Sequence, residues 1–128
     1  MDLNSYPFHH SFDKDYIAEL YDNETQYFIE IVEHLLQNIE PELEQLNTCF
    51  LQDDYEGFAK KLHKLSSMVG CIGQLNASKK YKEIETYYIH HGNITQPLQN
   101  IYKEVLQTLG YIRSDYEGIK KLVYSQTP

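Results

Sequence analysis

The chain lacks the features that would mark it for a membrane, a secretory route or nucleic acid. No apolar run approaches the roughly 20 residues of a membrane span. Residues 1–10 contain no basic region followed by an apolar stretch, so no secretory leader is expected. Two cysteines, Cys49 and Cys71, are too few for a disulfide framework. Both adjoin apolar periodic positions and read as reduced thiols at the edge of a core, which points to the cytoplasm. Basic residues are scarce, 11 against 19 acidic ones. The net charge of −8 argues against nucleic acid and against an anionic membrane surface as partners. Repeats, low-complexity tracts and internal linkers are absent, and no segment alternates convincingly as a strand. Tryptophan is missing too, but there are twelve tyrosines. In so acidic a chain their rings are expected at the core's edge with hydroxyls wet, rather than stacked on bases.

What remains is a helical pattern. At 128 residues the chain is expected to form one domain, with residues 1–11 a flexible arm and a bundle at about 23–123. Residues 12–20 suggest a short first helix with Ile17 and Leu20 inward. Asp22 or Asn23 is placed to cap the next helix. Its stripe is Phe28, Ile31, Val32, Leu35, Ile39, Leu43, Leu46 and Phe50, and Pro41 predicts a kink or break near Asn38. Asp53 or Asp54 caps a third helix that Gly70 and Gly73 bring to an end. A fourth spans about 75–90, with Ala77, Tyr81, Ile84 and Tyr88 on one side. Gly92 and Asn93 signal a turn, and Thr95 is expected to cap a fifth helix holding Pro97 in its first turn. Leu98, Ile101, Val105, Leu109, Ile112 and Ile119 carry its stripe to about Val123. Short connections between long amphipathic helices imply an all-α, antiparallel up-and-down four-helix bundle with a short extra N-terminal helix.

The third helix carries the chemistry. Phe58, Leu62, Leu65, Val69 and Ile72 form its apolar stripe. His63 lies roughly 140° round from the stripe's centre at about 100° per residue, hence toward solvent. Its neighbours Ala59, Ser66, Ser67 and Gly70 are all small, and Lys60 lies one turn back. A lone imidazole on a bare face is accessible to another protein. Glycine inside a helix costs about 1 kcal/mol relative to alanine, so close approach of a partner is the expected reason for Gly70.

Across about residues 28–122 these offsets resemble the histidine-containing phosphotransfer (HPt) domain family. That family follows its histidine with an apolar residue two on, lysine three on, glycine four on, and an aliphatic–glycine pair at nine and ten. His63, Leu65, Ile72 and Gly73 match, and small Gly70 suits the pattern. Ala77, Ile84 and Glu85 occupy the family's next positions, and Pro41, Glu42, Leu43, Leu46 and Asp54 resemble its upstream stretch. Ser66 and Ser67 depart from the family's lysine and glycine. The resemblance implies that His63 accepts a phosphoryl group from a receiver-domain aspartate and passes it to another receiver. Ala59, Lys60, Lys64, Ser66, Ser67 and Gly70 would form the phosphate and docking environment, with Lys60 and Lys64 partly replacing the missing lysine's charge. The implied partners are response-regulator receivers and a hybrid sensor kinase. No cofactor is implied for this chain, since Mg²⁺ belongs to the receiver, and a monomer suffices. The GxxxxGK phosphate loop is absent, as suits a carrier without ATP-dependent kinase activity. The chain reads as a free shuttle or a module excised from a larger kinase.

Two other readings compete. A degenerate HPt-like module would dock a receiver or kinase without transfer. A metal-binding bundle would need inward Glu-x-x-His motifs, but His34 stands four after Glu30 and one after Glu33. The pairs His9–His10 and His90–His91 diverge by about 100° within a helix, so no metal site is expected.

Overall fold

The structure is a computed structural model that describes residues 2–125, with the Asn4 side chain left aside. A single 3-10 turn, Leu3–Ser5, precedes five helices: α1 (Lys14–Leu20), α2 (Thr25–Leu51), α3 (Tyr55–Gly70), α4 (Leu75–His91) and α5 (Leu98–Ser125). Helices α2 to α5 form the four-helix bundle, with α3 packed against both α2 and α4, and α5 against α2. The all-α architecture agrees with the pattern of the sequence.

The stripes point inward. Phe28, Val32, Leu35, Ile39, Leu43 and Leu46 of α2 are buried with Phe58, Leu62, Leu65 and Val69 of α3. Leu98, Ile101, Val105, Leu109, Ile112 and Ile119 of α5 close the core. Ile31 and Phe50 reach only its margin. Tyr81 is the large buried side chain of α4, a more polar helix overall.

Several local expectations are corrected. Residues 2–11, within the segment expected as a flexible arm, lie folded against the bundle, and Phe12, expected in the first helix, precedes α1. Leu3, Tyr6 and Phe12 are buried and Phe8 packs edge-on to Tyr6 and Phe28. Gly118 makes room for this: a Cβ there would strike the Tyr6 hydroxyl. Ile17 is buried as expected, but Leu20 is half-exposed, because α1 offers only one inward turn. Asp22 and Asn23 cap nothing in α2. Both adopt left-handed backbone (φ 50° and 55°), and the Asn23 side chain accepts the Leu3 N–H instead. Helix α2 is continuous through Pro41, so no break occurs near Asn38. Pro41 and Gln37 are both exposed, so water can reach the carbonyl that loses its donor. Pro97 sits just outside α5, its carbonyl accepting from Asn100 and Ile101, and Thr95 lies further out in the loop.

Both ends of α3 follow their sequence signals. Asp54 accepts the Gly57 N–H at 2.9 Å and caps the start. At the other end Gly73 takes φ 97°, a conformation that suits glycine, and a Cβ would also meet the Ile17 side chain. The Gly73 carbonyl accepts the Asp13 N–H at 2.9 Å, and the Tyr21 hydroxyl donates to the Cys71 carbonyl at 2.6 Å. Helix α1 is thereby fastened to the end of the histidine helix.

Candidate functional site

Because α3 is flanked by α2 and α4, only a narrow strip of it faces solvent. The exposed residues of α3 are Tyr55, Glu56, Lys60, His63, Lys64 and Ser67, and exposed Cys71 follows just past its end. His63 lies in the middle of the strip with its side chain 63% exposed. The expected face of small residues is only partly there. Ala59 and Ser66 are buried, and Gly70 is half-buried. The contact with α4 widens the buried arc beyond the apolar stripe, and small residues let the two helices approach. A Cβ on Gly70 would lie 2.9 Å from the Ser78 hydroxyl oxygen, so Gly70 serves helix packing at a place where partner docking was expected. The Ser66 hydroxyl donates to the His63 carbonyl at 2.6 Å and is thus turned away from the imidazole. Ser67, one turn beyond His63, keeps an exposed side of the strip.

The imidazole is held from one side. His63 Nδ1 lies 3.0 and 2.9 Å from the two carboxylate oxygens of Glu85 on α4. A neutral ring placed so carries its proton on Nδ1, which donates to the carboxylate, and leaves the lone pair on Nε2. Nε2, one carbon away across Cε1, is the ring nitrogen that Glu85 does not engage. Glu85 itself is mostly sheltered, its side chain 20% exposed.

The lysines are arranged on the other flank. Lys64 Nζ lies 2.5 Å and Lys61 Nζ 3.0 Å from the carboxylate of Glu42, a buried residue of α2. Hydrogen bonding from Lys64 holds the Glu42 carboxyl below its ordinary range, and outweighs the opposing effect of burial. Lys60 pairs with Glu56 at 3.2 Å, an exposed contact of little energy. Lys60 and Lys64, expected as charge near the imidazole, both have carboxylate partners in this arrangement.

Glu85 and Glu42 are where the sequence reading fell short. Both stood at family-like positions, but periodicity within one helix says nothing about contacts between helices. His63 lies on the solvent-facing side of α3. A cleft of about 450 Å³ beside α4, lined by Lys79, Lys80, Glu83, Tyr87 and Ile94 among others, does not include His63. Among the described residues no three His, Cys, Asp or Glu side chains converge as metal ligands would. Among them, too, no helix is long and apolar enough to cross a membrane.

This arrangement of five helices is the fold of a histidine-containing phosphotransfer domain. The chain is similar to the crystal structure of the HPt domain from an Hpt sensor hybrid histidine kinase of Shewanella, with a TM-score of 0.59 and 18% identity. The match covers 93% of this chain and 98% of the other. At that identity the likeness concerns the fold alone. No family model matches the sequence, and no curated protein does.

Proposed function

We propose that the protein is a phosphorelay carrier in which His63 accepts a phosphoryl group from a receiver-domain aspartate and delivers it to another receiver. The observation that carries this reading is the exposed imidazole with Nδ1 on Glu85, which leaves Nε2 as the nitrogen available to a phosphoryl group. In the forward step the Nε2 lone pair attacks phosphorus. The bond from phosphorus to the aspartate oxygen breaks, and its electron pair leaves with the carboxylate. Nδ1 keeps its proton, so the phosphorylated ring is cationic, and the Glu85 carboxylate faces that charge. Delivery is the reverse sequence on a second aspartate. Such transfers rest on positioning and charge neutralisation, and the receiver brings its own Mg²⁺. An exposed imidazole on the solvent-facing side of one helix suits a protein partner, whereas a small molecule wants a concavity. Receiver domains, and a hybrid kinase that carries one, are the partners of this reading, and the cytoplasm is its compartment.

A second reading, docking without transfer, is favoured by one observation: Lys60, Lys61 and Lys64 are each engaged by a carboxylate. Incubation with a phosphorylated receiver and Mg²⁺ separates the two. Transfer predicts an acid-labile, alkali-stable label on the wild type and none on His63→Gln. Binding of the receiver with no label would support docking alone.

A further inference from the structure

Glu42 has no role in the step described above, yet it is the buried carboxylate nearest in connection to the site. It accepts from two lysines of α3 at once, and one of them directly follows His63. Its side chain is 10% exposed, that of Lys61 23%, and that of Lys64 58%. The inner lysine and the carboxylate are sheltered, whereas the outer lysine, though bonded to Glu42, is open to solvent. Helix α3 runs between α2 and α4, with Glu85 holding the imidazole on the α4 side and Glu42 holding the lysines on the α2 side. Glu85 engages Nδ1, so Nε2 is the nitrogen left for a phosphoryl group, and Lys64 lies about 100° round α3 from His63, tied to the α2 side by Glu42.

We infer that the Glu42–Lys61–Lys64 cluster is a charge relay for the phosphorylated state: Lys64 leaves Glu42 for a phosphoryl oxygen on His63, and Lys61 stays to neutralise Glu42. This rests on the phosphocarrier reading of His63. The exchange balances charge. With both lysines in place the cluster carries a net positive charge, so one lysine can depart without leaving a buried carboxylate unpaired. The incoming dianion offers Lys64 a stronger partner than a carboxylate that already has a second cation. No proton moves, and no bond forms or breaks beyond the N–P bond of the transfer. The cluster would thus supply, from the position after His63, the charge that Ser66 does not.

The test is phosphorylation of the full chain by phosphoramidate, a small donor that needs no docking, with lysine Nζ signals followed by NMR. The expected result is that the Lys64 Nζ signal moves on phosphorylation while that of Lys61 keeps its Glu42 contact. Lys64→Gln should slow label formation about tenfold, a loss in line with one charge-assisted hydrogen bond. Lys61→Gln should slow it as well, because Lys64 is then needed by Glu42. Glu42→Gln, which frees Lys64, should not slow it. Label on His63 with an unmoved Lys64 signal, or with equal rates in wild type and Lys64→Gln, would overturn the relay and leave the carrier reading intact. Label retained in His63→Gln would overturn both.

Discussion

His63 and Glu85 face each other across the α3–α4 contact, with the imidazole Nδ1 2.9 Å from one carboxylate oxygen. The pair fixes which nitrogen of the ring is available. Removing the carboxylate in Glu85→Ala should leave the fold in place and mix the two tautomers, which ¹⁵N NMR of the ring reads directly. The pair is partly solvated, so its energy is modest, and transfer should slow by roughly tenfold rather than vanish. Glu85→Gln keeps an acceptor for Nδ1–H and should fall between. A ring with the same tautomer in wild type and Glu85→Ala would remove Glu85 from the account.

Glu42 gives a pH dependence with a definite sign. Its folded pKa is lowered, chiefly by Lys64, from an ordinary value of 4.5. The ionised form is therefore favoured in the fold. Its contribution to stability is present above pH 4.5 and is lost as pH falls through the lower, folded value. Glu42→Gln should be less stable than wild type at neutral pH, and the two should converge in acid. Urea denaturation at pH 7 and near pH 3 makes the comparison. An unchanged gap in acid would show that the cost is packing.

Gly73 meets two demands at once, a φ of 97° and contact with Ile17. Alanine there should destabilise by about 2 kcal/mol or more, summing backbone strain and displacement of a buried side chain. Gly92 also has positive φ, 73°, but has open space around it, so Gly92→Ala should cost clearly less. Chemical denaturation of the two variants separates strain from crowding.

Deletion of residues 1–11 removes the buried side chains of Leu3 and Tyr6 together with Phe8. Each large apolar side chain fully buried contributes about 1.5–3 kcal/mol, so the deletion should lower stability by several kcal/mol. It should also uncover Phe28 and raise binding of a hydrophobic dye. A truncated chain as stable as the whole would mean that this segment only rests on the bundle.

The fold was legible in the sequence because each long helix carries its own record. The α2, α3 and α5 stripes, the Asp54 cap and Gly73 are all local signals, and all appear in place. Failures came where a signal depended on a neighbour. Asn23 looked like a cap but bonds to Leu3, 20 residues away. Ala59, Ser66 and Gly70 looked exposed because one stripe marks one contact, whereas α3 makes two. The N-terminal segment looked loose since its few aromatic residues have no helical period, and only the assembled bundle supplies their socket. At the site, His63 and the departures at Ser66 and Ser67 were visible. The Glu85 and Glu42 partnerships depend on how α3 sits between α4 and α2, which no spacing within α3 encodes.

The most direct test of the central claim is phosphorylation of ¹⁵N-histidine-labelled protein by a charged receiver domain with Mg²⁺, observed by ³¹P and ring ¹⁵N NMR. The account predicts one phosphoramidate signal, coupled to Nε2 of His63, with Nδ1 still protonated, and its loss in His63→Gln. A phosphoryl group on Nδ1, on another residue, or unaffected by His63→Gln would contradict it.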